Sequence, residues 1–203
     1  MNEQELELYY RFIRVVGERI TDHFEDQKEY LHCKKGCSMC CEQGQYPCSK
    51  LEYEFLSIGF GTLDEDTRLQ IVQNILELKE QQKNCKDEKF FYRCPFLINN
   101  ECSIYKFRPI ICRTFGLAYF KYDYKNEKIL ETINFPFCIE HNKNYSDVYN
   151  KETNCLSTEK YKQLGYKNEP KTYNFSRNFL IKEVGEKMLN LDFGETKAII
   201  DWL

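Results

Sequence analysis

Cys33-Lys34-Lys35-Gly36-Cys37-Ser38-Met39-Cys40-Cys41 places four thiols within nine residues. A lone cysteine is commonly a small apolar core residue, and that reading suits Cys48, Cys85 and Cys155. It does not explain four in one run. The whole chain of 203 residues carries 11 cysteines, an odd number. A disulfide framework needs an oxidising compartment and usually an even count, so clustered metal ligands or redox groups are the expectation. A tight loop turned at Gly36 can bring thiolates to one point, as zinc and iron–sulfur loops do. Adjacent side chains diverge along most backbones. Cys40 and Cys41 are therefore expected to serve two metal ions or two corners of a polynuclear centre, which calls for more than four ligands.

Working outward, the later thiols come as Cys94-Pro95-Phe96-Leu97, Cys102-Ser103-Ile104-Tyr105 and Arg108-Pro109-Ile110-Ile111-Cys112-Arg113, with Cys138 after Phe135-Pro136-Phe137. Pro109 suits the first position of a helix, which would put Cys112 in its first turn, where the helix dipole favours a thiolate. Eight thiols suffice for two four-thiolate sites or one larger cluster. Such a site keeps negative charge around a divalent ion, so neighbouring donors are needed. Arg108, Arg113, Lys34 and Lys35 adjoin the thiols in sequence, and Tyr105 offers a hydroxyl, with plain packing as its alternative role. His23, His32 and His141 are read as structural, because thiols are already plentiful. Glu52 and Glu54 are candidate acid–base groups near the thiols, with helix capping the simpler role for Glu52.

The rest of the chain organises around these residues. Leu6, Tyr9, Tyr10, Ile13, Val16, Ile20 and Phe24 recur at helical steps, predicting one N-terminal helix over residues 3–31. Residues 33–48 read as a loop carrying five cysteines. Ser49-Lys50-Leu51-Glu52 has the form of a capping box, starting a helix that runs to about Ile58 and closes at Gly59 and Gly61. Asp64 to Lys83 predicts another, with Leu69, Val72, Ile75, Leu76 and Leu78 on one face. Asn99-Asn100 marks a turn. Leu117–Tyr124 and Ile129–Phe135 read as a hairpin. Residues 139–203 read as a mixed C-terminal helical region, with a helix at Phe179–Leu189 and a short last one at Glu195–Leu203. The expected fold class is mostly α with a small β-hairpin (α+β), a metal-centred single domain over 1–203 whose core motif spans 33–138.

Composition narrows the function classes. Apolar residues make up 42% and charged residues 30% of the chain, which is ordinary for a folded domain. The formal charge of −3 and the lack of a basic stripe argue against nucleic acid as a partner. No run approaches the roughly 18 apolar residues of a membrane span. The acidic start, Met1-Asn2-Glu3-Gln4-Glu5, is unlike the basic start of a secretory leader, so a cytoplasmic location is expected. The partner is expected to be a protein or a small-molecule substrate of unspecified kind.

The run Cys33-x3-Cys37-x2-Cys40-Cys41, the Cys94-Pro95-Phe96-Leu97 segment and Cys102-Ser103-Ile104-Tyr105-x2-Arg108-Pro109-x2-Cys112-Arg113 together resemble the YkgJ-type cysteine-cluster family, the CxxCxxCC zinc- or iron-chelating domain. The first gap here holds three residues where that family's name has two. The resemblance implies eight metal-ligating cysteines, matched by Cys33, Cys37, Cys40, Cys41, Cys94, Cys102, Cys112 and Cys138. It also implies kinship with flagellin lysine-N-methylases, which would need S-adenosylmethionine. Three readings stand: an iron–sulfur or iron protein with redox or methyl-transfer activity, a zinc protein whose metal supports an interaction surface, and a radical enzyme. The third requires alternating strand–helix units that this chain lacks, and Met39 stands where an aromatic residue is usual. No glycine-rich dinucleotide loop is present. Thiolate ligands suit both iron and zinc; the dense first group favours iron–sulfur.

Overall fold

The computed structural model describes residues 3–203. Along the chain the elements are α1 (Glu3–Asp26), β1 (Pro47–Ser49), α2 (Lys50–Gly61), α3 (Glu65–Asn84), β2 (Leu97–Ile98), β3 (Glu101–Cys102), α4 (Ile110–Thr114), β4 (Tyr119–Asp123), β5 (Lys128–Asn134), β6 (Tyr149–Asn150), β7 (Cys155–Leu156) and α5 (Thr158–Gln163). A helical run follows as α6 (Arg177–Phe179), a π-wound stretch (Leu180–Glu186) and α7 (Lys187–Leu189), then β8 (Thr196–Ala198) and α8 (Ile199–Trp202). The fold is mostly helical with small antiparallel strand pairs, β1–β8, β2–β3, β4–β5 and β6–β7. None of the described helices is long and apolar enough to cross a membrane. The contacts divide the chain into two compact units, residues 34–112 with 192–203, and residues 3–33 with 113–191.

In the first unit, α2 begins with the expected capping box. The Ser49 hydroxyl accepts from Glu52 N at 3.3 Å while a Glu52 carboxylate oxygen accepts from Ser49 N at 2.8 Å. The helix runs on through Gly59 to Gly61, so Gly59 does not close it. Its role is close packing: a Cβ there would stand 2.5 Å from Phe107 Cβ. Asp64 caps α3 by accepting from Thr67 N at 2.9 Å. The buried face of α3 is Ile71 and Leu78, whereas Leu69 and Leu76 are each 60% exposed, which corrects the expected face. Ile71 joins a core of Leu56, Phe96, Ile104 and Ile199, and Asn74 Nδ2 donates to Pro95 O at 3.0 Å. These contacts set the rotation of the helix.

The C-terminal segment is a second correction, because residues 196–198 are a strand rather than the start of a helix. Pro47 pairs with Ala198 and Ser49 with Thr196, and Lys50 N donates to Glu195 O at 2.8 Å. A three-residue strand beside the cysteine loop must satisfy its backbone groups, and this segment does so in preference to its own helical propensity.

In the second unit, α1 buries Tyr9, Phe12, Ile13, Val16 and Ile20. Phe12 belongs to the buried face three residues from Tyr9, while Tyr10, about 100° round the helix, is exposed. The helix stops at Asp26, short of residue 31. Gln27 is fully buried and clamps a distant segment, donating to Glu169 O at 3.1 Å and accepting from Lys171 N at 2.8 Å. The β4–β5 hairpin is present within two residues of its expected limits, with the Asp123 carboxylate accepting from Lys125 N and Asn126 N. A second core gathers Tyr30, Ala118, Ile139, Tyr145 and Val148. The expected 179–189 helix is present, but Leu180–Glu186 winds as a π-helix. The region after 139 also contains the β6–β7 and β8 strands, so it is less helical than expected.

Candidate metal centre

The site is built on the short 3-10 turn Met39–Glu42. Gly36, at φ +84°, turns the chain before it, and Cys41 N donates to Ser38 O at 2.7 Å. Two bonds hold the turn from outside. Cys94 N donates to Cys41 O at 2.7 Å, and the Tyr46 hydroxyl donates to Cys40 O. Gly44 and Tyr92 add a two-bond bridge, N to O in both directions at 2.8 and 3.1 Å. The loop is therefore docked on the Cys94 segment through backbone bonds before any side chain is considered.

Beyond Cys94 the chain makes the β2–β3 hairpin. Asn99 and Asn100 both take left-handed φ, 51° and 62°, which a two-residue hairpin turn of the primed type demands. This pairs Leu97 with Cys102 and returns Cys102 toward Cys94. Helix α4 then starts at Ile110, one residue after Pro109, and carries Cys112 in its first turn. Its first N–H, on Ile110, donates to a Glu52 carboxylate oxygen at 2.9 Å. Glu52 thus serves α2 and α4 together, a structural use of this buried carboxylate.

Burial and neighbouring charge act on several of these thiols together. Cys40 is raised well above an ordinary thiol, first by a hydrogen bond with the Cys41 side chain, then by burial. Cys94 is pushed up to about 12, chiefly by burial, with Cys102 and Cys40 adding to the shift and the Phe96 N–H on its sulfur opposing it. Cys112 is raised by burial and by Cys94, Cys102 and Cys40, with Arg108 opposing. Cys40 thus acts electrostatically on Cys94 and Cys112, and Cys102 acts on the same two. Cys94, Cys102 and Cys112 also pack against the core that contains Leu56, Phe96 and Ile104.

The other expected residues are placed as follows. Cys37 lies in the same unit, its N donating to Lys34 O at 2.9 Å. Arg108 lies over the exposed Tyr105 ring, 3.7 Å from its centroid, and is the cation acting on Cys40 and Cys112. Lys35 pairs with Glu101 at 3.3 Å. Cys33, Cys138 and Arg113 belong to the second unit. There Cys33 Sγ accepts from the buried Asn144 Nδ2 at 3.1 Å, and Gly116, at φ +100°, leaves room for that sulfur, which a Cβ would meet at 2.8 Å. Cys138 sits in the 3-10 turn Phe137–His141, and Arg113 Nη1 lies 3.8 Å from where a Cβ on Gly17 would stand. His23 stacks on Phe175 and lies tilted against Tyr173, and burial lowers its pKa. His141 packs on Phe137, and His32 N donates to Asn144 Oδ1 at 2.7 Å. Cys48 is fully buried, as the core reading expects, but Cys155 is exposed, which corrects that reading for Cys155.

Tyr46 and Asn144 are the residues that sequence reasoning missed. Tyr46 stands five residues after the last clustered thiol with no motif to mark it, yet its hydroxyl donates to Cys40 O and its ring packs on the core that Cys94 and Cys112 also join.

Among the described residues, no three His, Cys, Asp or Glu side chains already stand in a metal-holding arrangement. The donor set nonetheless fits a soft or borderline cation. Burial opposes ionisation of Cys40, Cys94 and Cys112, and a bound cation reverses that penalty. Thiolates paired with a metal, rather than free thiolates, are the charged form this environment accepts.

Sulfur donors gathered on a backbone-braced turn define a cysteine-rich metal-chelating domain. Residues 32–155 match the model of the CxxCxxCC family, described as "Putative zinc- or iron-chelating domain". The chain belongs to this CxxCxxCC family. Neither the curated proteins nor the solved structures yield a match.

Proposed function

We propose that the chain holds a polynuclear metal centre, an iron–sulfur or small iron cluster, through Cys40, Cys41, Cys94, Cys102 and Cys112, with Cys37 as a further ligand. The observation that supports this is the docking of the Cys40–Cys41 turn on the Cys94 segment through Cys94 N to Cys41 O at 2.7 Å, with Cys94, Cys102 and Cys112 packed on one core. One tetrahedral zinc uses four ligands; a larger centre employs the fifth and sixth. Cys33 and Cys138, which the resemblance also implies, lie among residues 3–33 and 113–191, and the proposal rests on the other six. With an all-sulfur centre the activity it best supports is redox chemistry. Methyl transfer from S-adenosylmethionine rests on the resemblance alone, and equilibrium binding of that cofactor to the purified chain tests it.

A second reading has its own observation. Cys94, Cys102 and Cys112 pack into the core of their unit, where a zinc ion would act as a structural cross-link and leave the surface for binding. Full-length protein purified without oxygen separates the two by iron, zinc and acid-labile sulfide content with the visible spectrum. The iron–sulfur reading expects a brown protein with iron and sulfide near stoichiometry, lost in Cys112→Ser and kept in Cys85→Ser. Colourless protein with stoichiometric zinc establishes the second reading instead, and folded protein with neither metal refutes both.

A further inference from the structure

We infer that Tyr46 is a positioning residue for the thiol cluster, fixing the Cys40–Cys41 turn in the orientation that presents both sulfurs to one metal centre. The inference rests on the reading that these thiols hold metal.

The geometry is specific. The adjacent pair sits on a single 3-10 turn, Met39–Glu42, whose short length leaves few bonds of its own to hold it. The two carbonyls of the pair are restrained separately. Cys41 O accepts from the backbone N of Cys94, and Cys40 O accepts from the Tyr46 hydroxyl. The first bond is made by backbone and survives any side-chain change. The second depends wholly on one hydroxyl. Tyr46 is itself anchored, since its carbonyl accepts from Ile199 N at 3.0 Å and its ring packs on the core beside Cys94, Cys102 and Cys112. A Cβ on Gly44 would lie 3.4 Å from the Tyr46 ring, so the turn around Gly44 accommodates that ring closely. The hydroxyl is thus delivered to Cys40 O by a rigid arm running from the β1–β8 strand pair.

Without the bond, the Cys40–Cys41 peptide is held on its N–H side alone, by Cys41 N to Ser38 O at 2.7 Å, and the turn loses its tie to Tyr46. Groups that orient metal ligands in this way typically change metal affinity about 10- to 100-fold when removed. The test uses the reduced, metal-free full chain titrated anaerobically with cobalt(II) ion, whose thiolate charge-transfer absorbance reports sulfur ligation directly. Tyr46→Phe should bind cobalt about 10- to 100-fold more weakly, with a changed ratio of charge-transfer to ligand-field bands. Trp202→Phe is the control. It removes another half-buried donor-to-carbonyl bond in the same unit, Trp202 Nε1 to Cys48 O at 2.8 Å, at a carbonyl outside the turn.

The melting temperatures of the metal-free variants place both on one stability scale. Weaker cobalt binding in Tyr46→Phe than in an equally destabilised Trp202→Phe supports the positioning role. Unchanged affinity and spectrum in Tyr46→Phe, or equal losses in the two variants, overturn it. Wild-type protein that develops no charge-transfer band overturns the metal-site reading itself, an outcome distinct from failure of the Tyr46 inference.

Discussion

Glu52→Gln isolates the most consequential buried carboxylate in the first unit. Glu52 is fully buried, and its two oxygens accept from Ser49 N at 2.8 Å and Ile110 N at 2.9 Å. Glutamine keeps the shape but offers one acceptor oxygen, so one of the two N–H groups faces an amide NH2 instead. Leaving a buried donor unsatisfied costs about 1–3 kcal/mol. At about 2–4 °C per kcal/mol for a chain of this size, the melting temperature of the metal-free protein should fall by about 4–8 °C for a 2 kcal/mol loss. Differential scanning calorimetry at pH 7 measures it. Ser49→Ala should cost about 1 kcal/mol through the lost cap. The double variant should lose less than the sum, since both changes strike one hydrogen-bonded box. A fall below about 1 °C in Glu52→Gln would refute the claim that this carboxylate satisfies both helix starts.

Three further outcomes follow from the same geometry. Gly59→Ala forces a Cβ to 2.5 Å from Phe107 Cβ and should destabilise by about 1–3 kcal/mol, outweighing the helical gain of about 1 kcal/mol; Gly61→Ala, with nothing within 4 Å, should lose nothing, and urea unfolding of the pair checks both. Asp26 accepts from Lys171 Nζ at 2.9 Å and from the Tyr173 hydroxyl at 2.8 Å, and the Lys171 bond foremost holds its carboxyl below the usual value. Its stabilisation is present above the unfolded value near 3.9 and is lost as pH falls through the lower folded value. Asp26→Asn should therefore be less stable by about 1 kcal/mol at pH 7, with the gap closing in acid; a gap that is constant down to about pH 2 contradicts the assignment. Finally, burial pushes the Cys94 thiol up, so its recruitment by metal must release a proton. Calorimetric titration in buffers of different ionisation enthalpy should show that release, with affinity weakening as pH falls; affinity independent of pH would count against thiolate ligation.

Local signals in the sequence carried much of this architecture. The Ser49–Glu52 box, the Asn99-Asn100 turn and the β4–β5 hairpin rest on neighbouring residues, and the structure contains all three. The buried face of α3 was not legible, because Leu69 and Leu76 are as apolar as Ile71 and Leu78. Only the partner core, with Phe96 and the bond from Asn74 to Pro95, selects between those faces. The strand at 196–198 depends on β1, some 150 residues earlier, and local propensity does not report such a pairing. At the thiol cluster, the residue types announced the chemistry and the 3-10 turn set the direction. The bracing of the Cys40–Cys41 turn was not legible, because its two carbonyls are bonded from outside the run, by the Tyr46 hydroxyl and the Cys94 backbone.

The central claim, that sulfur alone holds the metal, is tested most directly by X-ray absorption at the edge of whichever metal the anaerobically purified chain contains. A first shell of sulfur at about 2.3 Å, with a metal–metal scattering path beyond it, is the predicted result. A first shell dominated by nitrogen or oxygen near 2.0–2.1 Å would contradict it.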